Sequence, residues 1–142
     1  MLKVKIKKTA DVKTPFYAHK GDSGMDLYSA EECMLKPMER RLVATGIKVA
    51  IPYGYEAQIR PKSGLALQGI SHANSIGTID SSYRGEIKIP LINFSDKSYK
   101  IEKGKKIGQM VFIKVEEAVF EEAEELGETT RNEQGFGSTG LD

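Results

Sequence analysis

The sequence predicts an all-β fold, a sandwich or a barrel, and three observations carry this prediction. Short segments in which apolar and polar residues alternate recur along the chain, and this period of two is typical of half-buried strands. Turn residues, mainly Gly, Pro, Asn, Asp and Ser, separate these segments. A single stretch, Glu116–Gly127, rivals them as a helix, because it is rich in glutamate and alanine. A chain of short strands separated by turns is typical of sandwiches and barrels.

Each predicted strand follows from its own alternation. Val4 and Ile6 alternate with lysines, which predicts a half-exposed strand whose lysines protect a sheet edge. Ile47, Val49 and Ile51 define one face of the next strand. Later segments repeat the pattern, and the last of them is the most apolar. The predicted strands cover Lys3–Lys7, Arg41–Ile51, Tyr55–Arg60, Ile87–Leu91, Tyr99–Ile101 and Ile107–Val115.

The end of the chain differs from the rest in composition. Glu116–Gly127 fits one or two helical turns or, equally well, a solvated acidic connection. Residues 131–140 hold one large apolar residue, Phe136, among three glycines, so they cannot build a core. We therefore expect one domain over residues 1–128, followed by a mobile Gly-rich tail over 129–142. The amides and hydroxyls of the tail, with Arg131, suit a phosphate.

Bulk composition limits the partners. The 142 residues are 39% hydrophobic and 29% charged, which suits one domain with a sufficient core. The net charge of +1 gives no steering toward nucleic acid or membrane, and we expect neither as a partner. The lone cysteine, Cys33, cannot form an intrachain disulfide, and no segment resembles a signal peptide or a membrane span. We therefore expect a cytoplasmic protein without a zinc site.

The stretch Asn74–Glu86 is the densest cluster of special residues. Two glycines flank one carboxylate, Asp80, and one aromatic ring, Tyr83. A segment that mixes turn and strand residues predicts a hairpin, and a hairpin tip can hold a flat ligand. Taken singly, Asp80 is typical of a turn and Tyr83 of a strand core. We predict that this hairpin forms a pocket with Asp80 at its rim.

Four further segments combine small residues with one or two functional groups, and with the hairpin they make five. Together they offer cations for phosphate, aromatic rings for stacking and acids for a metal or a water. The five segments are Gly24–Ala30, Arg60–Ala66, Asn74–Glu86, Gly104–Met110 and Arg131–Gly140. In this order they resemble the five motifs of the trimeric dUTPase family, most strongly in Gly77–Glu86. The resemblance spans residues 23–140.

The resemblance implies a fold, an assembly and a reaction. The fold is a distorted jelly roll, or β-clip barrel, with at most one short helix. The assembly is a homotrimer in which the tail closes an active site, usually a neighbour's. The reaction is the Mg²⁺-assisted hydrolysis of dUTP to dUMP and diphosphate. Such an enzyme limits uracil misincorporation into DNA and supplies dUMP for thymidylate synthesis.

The resemblance also implies roles for residues around the nucleoside. Asp80 matches the general base that orients a water toward the α-phosphorus. Tyr83 matches the ring that packs on the deoxyribose and excludes a 2′-hydroxyl. Asn74 matches a uracil-pocket amide, which can both donate and accept; singly it is typical of a turn. Further substrate contacts implied here are Gly77, Thr78, Ile79 and Lys88.

Other roles concern the phosphates. Lys62 stands where the family usually has arginine, so the charge is kept but the two-pronged hydrogen bonding is not. Gln109 matches a phosphate-binding glutamine, although singly it fits a solvent-facing strand residue. Asp26 matches the aspartate that reaches hydrated Mg²⁺ through a bound water; singly it fits a turn or an inter-subunit ion pair. The remaining phosphate and tail positions implied are Ser63, Gly64, Arg131, Phe136, Gly137 and Ser138.

Neighbouring charges and two rival functions complete the predictions. Arg84 and Glu86 are expected to pair, and Lys103, Lys105 and Lys106 to be solvated turn charges. The related dCTP deaminases are one alternative, but the third and fifth motifs match the pyrophosphatase pattern. A trimeric β protein that only binds a partner is the other, and the intact Asp80 and Phe136 weigh against a purely non-catalytic role.

Overall fold

Eleven strands and one short helix form the structure, a computed structural model that describes all 142 residues. In chain order the elements are β1 Lys5–Lys8, β2 Met25–Tyr28, β3 Cys33–Leu35, β4 Arg40–Ala44, β5 Ile47–Ala50, β6 Tyr55–Arg60, α1 Ser63–Ala66, β7 Ile70–His72, β8 Gly77–Ile79, β9 Lys88–Asn93, β10 Tyr99–Ile101 and β11 Lys106–Lys114. The all-β, jelly-roll-like prediction is confirmed. The helix is a single turn, and no helix here could cross a bilayer.

Two larger sheets enclose the core. One has the order β2-β11-β6-β8 and the other the order β4-β9-β7, while β1-β5 and β10-β3 are two-stranded. The apolar positions of the alternating segments face inward, so Ile59, Ile89, Leu91 and Ile107 are buried. Buried residues of both larger sheets belong to one hydrophobic cluster. Burial of the apolar face stabilises each alternating strand within the fold.

Most predicted strands are present, with two differences. The segment Arg41–Ile51 is two strands, because the chain turns at Gly46, where φ is +74°. Strands β2, β3 and β7 were not predicted, and each has only three or four residues in which alternation could appear. The edge prediction for the first strand fits, because β1 pairs only with β5 and exposes its lysines.

The hairpin predicted for Asn74–Glu86 is wrong in its pairing. The strand β8 pairs with β6 of the four-stranded sheet, whereas β9 pairs with β7 and β4. Asn74–Glu86 is therefore the long connection of a β7–β9 hairpin, and it crosses from one sheet to the other. The reason is that one edge of β6 is available to β8. The backbone N–H and C=O groups of β8 therefore bond to β6 rather than to β9.

Beyond β11 the chain has no helix or strand. The segment 116–127 is exposed throughout, so the solvated acidic connection is the correct alternative and the helix is not formed. Residues 129–142 contain turns whose hydrogen bonds stay within the tail. Phe136 is fully exposed. The tail thus makes no core contact, as its composition predicts.

Candidate functional site

A charged cluster lies where β2, β11 and β6 run side by side. The register places Asp26 opposite Gln109, and Gln109 opposite Arg60. The Lys62 Nζ lies 2.5 Å from Asp26 Oδ1, and the Lys106 Nζ lies 2.9 Å from Asp26 Oδ2. Asp26 thus forms ion pairs with two lysines of its own chain.

The two lysines keep Asp26 ionised. Burial by itself would raise the pKa of the Asp26 carboxyl, but hydrogen bonds and charges from Lys62 and Lys106 outweigh it and hold the pKa below its usual value. Two ammonium groups on one carboxylate leave one net positive charge. Such a surplus suits an anionic ligand, because a phosphate can replace or share the carboxylate as partner of the lysines.

The prediction for Lys106 as a solvated turn charge is wrong. Its side chain is half exposed, yet its ammonium binds Asp26. No local sequence signal identifies this contact, because it depends on an irregularity in the pairing of β11 with β2. Gln109 is half-buried rather than solvent-facing: its Nε2 donates to the carbonyl of Pro61 at 3.1 Å.

The helix α1 begins immediately after Lys62. Ser63 and Gly64 occupy its first two positions, and both are exposed. The N–H groups of a first turn have no partner within the helix, so they remain available to an acceptor. The structure therefore brings Asp26, Lys62 and Gln109 together and places Ser63 and Gly64 next to them in the chain.

A second cluster lies in the connection between β7 and β9. A cavity of about 240 Å³ is bordered by five of the predicted residues, together with Leu42 and Glu86; the five are Thr78, Ile79, Asp80, Tyr83 and Lys88. Asn74 and Gly77 do not line this cavity; the amide nitrogen of Asn74 lies 3.4 Å from where a Cβ on Gly77 would stand. A cavity therefore lies beside Asp80, although it is not formed by a hairpin whose arms pair with each other.

Asp80 lies at the rim of this cavity. It is exposed, and its carboxylate has no hydrogen-bond or ion-pair partner in the chain. Only its backbone carbonyl takes part in the turn, accepting from the Tyr83 N–H at 3.1 Å. A turn or cap aspartate would use its side chain to bind a nearby N–H. The unused carboxylate is thus free to accept a hydrogen bond from water.

Tyr83 is not a core residue, since it is 43% exposed. Its hydroxyl donates to the carbonyl of Glu86 at 2.9 Å. A Cβ at Gly85 would collide with the hydroxyl and ring carbons of Tyr83, so only glycine at that position lets the ring lie over the backbone. The ring is consequently fixed as one wall of the cavity.

The predicted pair of Arg84 and Glu86 is absent. Arg84 Nη1 donates to the carbonyls of Ser81 and Tyr83, at 2.6 and 2.9 Å, and so braces the turn. Glu86 accepts a hydrogen bond from Thr9 Oγ1 at 2.5 Å instead. Arg84 reaches these nearby backbone carbonyls more easily than it reaches Glu86, because the Glu86 side chain is hydrogen-bonded to Thr9.

The two clusters lie far apart within one chain. Ile79 pairs with Ala57 near the start of β6, whereas Lys62 follows the end of that strand. Glu56 lines a second cavity with Asp80, and Lys62 lies six positions after Glu56. At about 3.3 Å per residue, Asp80 and Lys62 are therefore roughly 20 Å apart. The tail residues Arg131, Phe136, Gly137 and Ser138 contact neither cluster.

The chain offers little for a metal by itself. No group of three or more His, Cys, Asp or Glu side chains is placed to hold an ion. Asp26 is the one carboxylate in the charged cluster. Such a donor set does not fit a protein cage, but it fits Mg²⁺, which keeps waters and takes most of its ligands from phosphates.

Comparison with known proteins identifies the family. The dUTPase family model matches residues 10–140. The chain belongs to the dUTPase family. The Deoxyuridine 5'-triphosphate nucleotidohydrolase of Clostridium novyi is 55% identical and covers 99% of this chain and 100% of its own length. That of Clostridium kluyveri is 56% identical over 89% of each chain.

Solved dUTPase structures share the fold. A mutant dUTPase of Staphylococcus bacteriophage 80alpha, with dUpNHpp, superimposes with a TM-score of 0.91 and 27% identity, covering 98% of this chain and 99% of the other. A phage phi11 dUTPase with a structural Mg(II) ion gives a TM-score of 0.82 at 23% identity, a likeness that concerns the fold alone. The predicted resemblance to this dUTPase family is thus confirmed.

Proposed function

We propose that this chain is a dUTP diphosphatase that hydrolyses dUTP to dUMP and diphosphate. The family and the names of its curated relatives support this enzyme class. The observation in the structure that carries the proposal is the exposed, unpartnered Asp80 at a cavity that Tyr83 walls. A free carboxylate beside a sugar-sized pocket is what water-assisted attack on a nucleotide requires.

The cavity selects the nucleoside. The ring of Tyr83, held over Gly85, packs on the deoxyribose and leaves no room for a 2′-hydroxyl. The Asn74 amide binds the uracil edge, where both a donor and an acceptor are needed. Gly77, Thr78 and Ile79 present the backbone of β8 to the base, where a thymine methyl would clash and a cytosine amine would be mismatched.

Asp80 accepts a proton from a water molecule and orients the oxygen of that water toward the α-phosphorus. The bond formed is between that phosphorus and the water oxygen, and the bond broken joins the α-phosphorus to the oxygen that bridges it to the β-phosphorus. Diphosphate leaves and dUMP remains. Phosphoanhydride hydrolysis depends mostly on positioning and charge neutralisation. Lys88, at the same cavity, adds a positive charge near the reacting phosphate.

The charged cluster holds the rest of the triphosphate. Lys62 and Gln109, with the amides of Ser63 and Gly64, bind the phosphates. Asp26 would hold hydrated Mg²⁺ through bound water, and the ion would supply neutralisation of the phosphate charge. The surplus positive charge of Lys62 and Lys106 around Asp26 also neutralises phosphate charge.

Each active site is built from more than one copy of the chain. The roughly 20 Å that strand geometry gives between Asp80 and Lys62 in one chain exceeds the length of a triphosphate, which supports a site whose Asp80 and Lys62 come from different copies. A homotrimer provides such sites. Residues 129–142 act as the closing tail, with Phe136 on the uracil, Arg131 on the γ-phosphate, and Gly137 and Ser138 contributing polar contacts.

The reaction gives the protein a place in nucleotide chemistry. Removal of dUTP limits incorporation of uracil into DNA, and the product dUMP feeds thymidylate synthesis. We expect this to take place in the cytoplasm. We expect neither a nucleic acid nor a membrane as a partner.

A diphosphate-release assay tests the activity. The wild-type protein is given dUTP, UTP, dTTP and dCTP with Mg²⁺, and we expect release from dUTP alone. Asp80→Asn should keep nucleotide binding while turnover falls by about 10²-fold or more. Equal turnover by Asp80→Asn and the wild type, or no release from dUTP by the wild type, would refute the proposal.

Mixing two inactive variants tests the shared site. Asp80→Asn chains retain Lys62, and Lys62→Ala chains retain Asp80. After joint refolding, hybrid assemblies should contain sites in which both residues are intact, so activity should reappear. Light scattering should give three times the chain mass. Failure to regain activity in a confirmed hybrid would mean that each site lies within one chain.

A further inference from the structure

Strand β11 contains a bulge beside the charged cluster. Lys106 pairs with Tyr28, but Gly108 pairs with Leu27, so β11 advances two residues where β2 advances one. Ile107 is the extra residue. Ile107 and Gly108 are both buried in succession, whereas a regular strand would alternate. The bulge therefore shifts the phase of β11 by one residue.

This shift decides which residues face Asp26. Lys106 and Gln109 are three apart, so a regular strand would point them to opposite faces of the sheet. With the bulge, Lys106 pairs with Tyr28 and Gln109 with Asp26, and residues 26 and 28 share one face. Consequently Lys106 reaches Asp26 while Gln109 occupies the same face. The positions of Lys106 and Gln109 in the charged cluster therefore depend on this irregularity.

A histidine from the opposite sheet binds the bulge directly. His72 ends β7, pairs with Leu91 of β9 and is buried. Its Nε2 lies 2.9 Å from the carbonyl oxygen of Ile107, the extra residue. Because a carbonyl only accepts, the imidazole donates and its proton sits on Nε2. The ring thus crosses the core to hold the bulged backbone.

The surroundings fit the ring closely. A Cβ on Gly108 would stand 3.1 Å from His72 Cε1 and 2.8 Å from the Cδ1 of Ile89, so glycine is needed for this approach. Burial lowers the pKa of His72 below its usual value, although the carbonyls of Ile107 and Ile59 act in the other direction. The ring is therefore neutral near pH 7.

We propose that His72 is a positioning residue for phosphate binding: it holds the β11 bulge in the register that points Lys106 and Gln109 to the side of Asp26. It touches no substrate and acts through the backbone of Ile107. The proposal rests on the proposed function for the identity of the ligand, but the structural link between His72 and the bulge does not.

Two amide variants separate this role from simple core filling. In His72→Gln, the side-chain nitrogen reaches about as far as Nε2 and can donate to Ile107. His72→Asn carries the same amide one methylene shorter and cannot. We expect kcat/KM for dUTP to stay within about threefold in His72→Gln and to fall about 30-fold in His72→Asn. The Kd for deoxyuridine, which binds only the other cluster, should stay within about twofold in both.

Amide hydrogen exchange over Lys106–Met110 provides a second measurement independent of turnover. Exchange should be faster in His72→Asn and near wild type in His72→Gln. Wild-type exchange in both variants overturns the proposal, as does an equal loss of activity in both, or a loss of deoxyuridine affinity that parallels the loss of dUTP turnover. If the wild type fails to hydrolyse dUTP, the proposed function fails alone, and the exchange experiment still decides the role of His72.

Discussion

Replacing Asp26 by Asn removes the charge that holds two lysines together while it keeps the shape of the side chain. A hydrogen bond to a charged group contributes about 1.5–3 kcal/mol, and an exposed ion pair less than about 1 kcal/mol. The Lys62 side chain is 30% exposed and that of Lys106 is 55% exposed, so Lys62 supplies most of the effect. We expect Asp26→Asn to lower the free energy of unfolding by about 2 kcal/mol at pH 7.

The sign of the pH dependence follows from the lowered pKa of Asp26. A carboxyl whose pKa is lower in the folded state stabilises the protein above its unfolded pKa, about 4, and this stabilisation is lost as the pH falls through the folded value. The difference between wild type and Asp26→Asn should therefore be complete from pH 5 to pH 7 and should shrink toward pH 3.

Urea unfolding followed by circular dichroism measures the effect. At a slope of about 2 kcal/mol per molar, the midpoint should fall by about 1 M at pH 7. Asp96→Asn is the matched control, because Asp96 is exposed and makes no ion pair. It should shift the free energy of unfolding by less than about 0.5 kcal/mol. Equal midpoints for wild type and Asp26→Asn at pH 7, or an undiminished difference at pH 3, would refute the reasoning.

Three further outcomes are expected. Gly85→Ala should displace the Tyr83 ring and reduce the preference for dUTP over UTP, measured as a ratio of kcat/KM, by about tenfold; an unchanged ratio would contradict the sugar contact. Asn93→Ala should lower the free energy of unfolding by about 3 kcal/mol, because the buried amide binds two backbone carbonyls and accepts from Ser95. Truncation before Arg131 should leave the urea midpoint unchanged while dUTP turnover falls about 10²-fold. Normal turnover after truncation would remove the tail from the site.

Much of the candidate site could be predicted from the sequence. Gly77–Glu86 is a contiguous motif, so Asp80, Tyr83 and their neighbours enter one cavity by proximity along the chain. Lys106 was missed because its contact with Asp26 depends on a one-residue bulge. No particular residue type marks that bulge in the sequence. The role of His72 could not be predicted for the same kind of reason: the residue stands alone in the sequence, and its partner Ile107 is 35 residues away.

By itself the sequence determined the elements that depend on local pattern. Alternation set the buried faces of strands such as Tyr55–Arg60, and Gly104, with φ of +84°, turned the chain before β11. Only the tertiary structure decided the pairings: β8 joins β6 rather than β9, and Asp80 lies far from Lys62. The physical reason is that side-chain alternation is fixed by neighbouring residues, whereas register and sheet membership depend on distant partners. A shift of one residue in that pairing reverses the face of every side chain that follows.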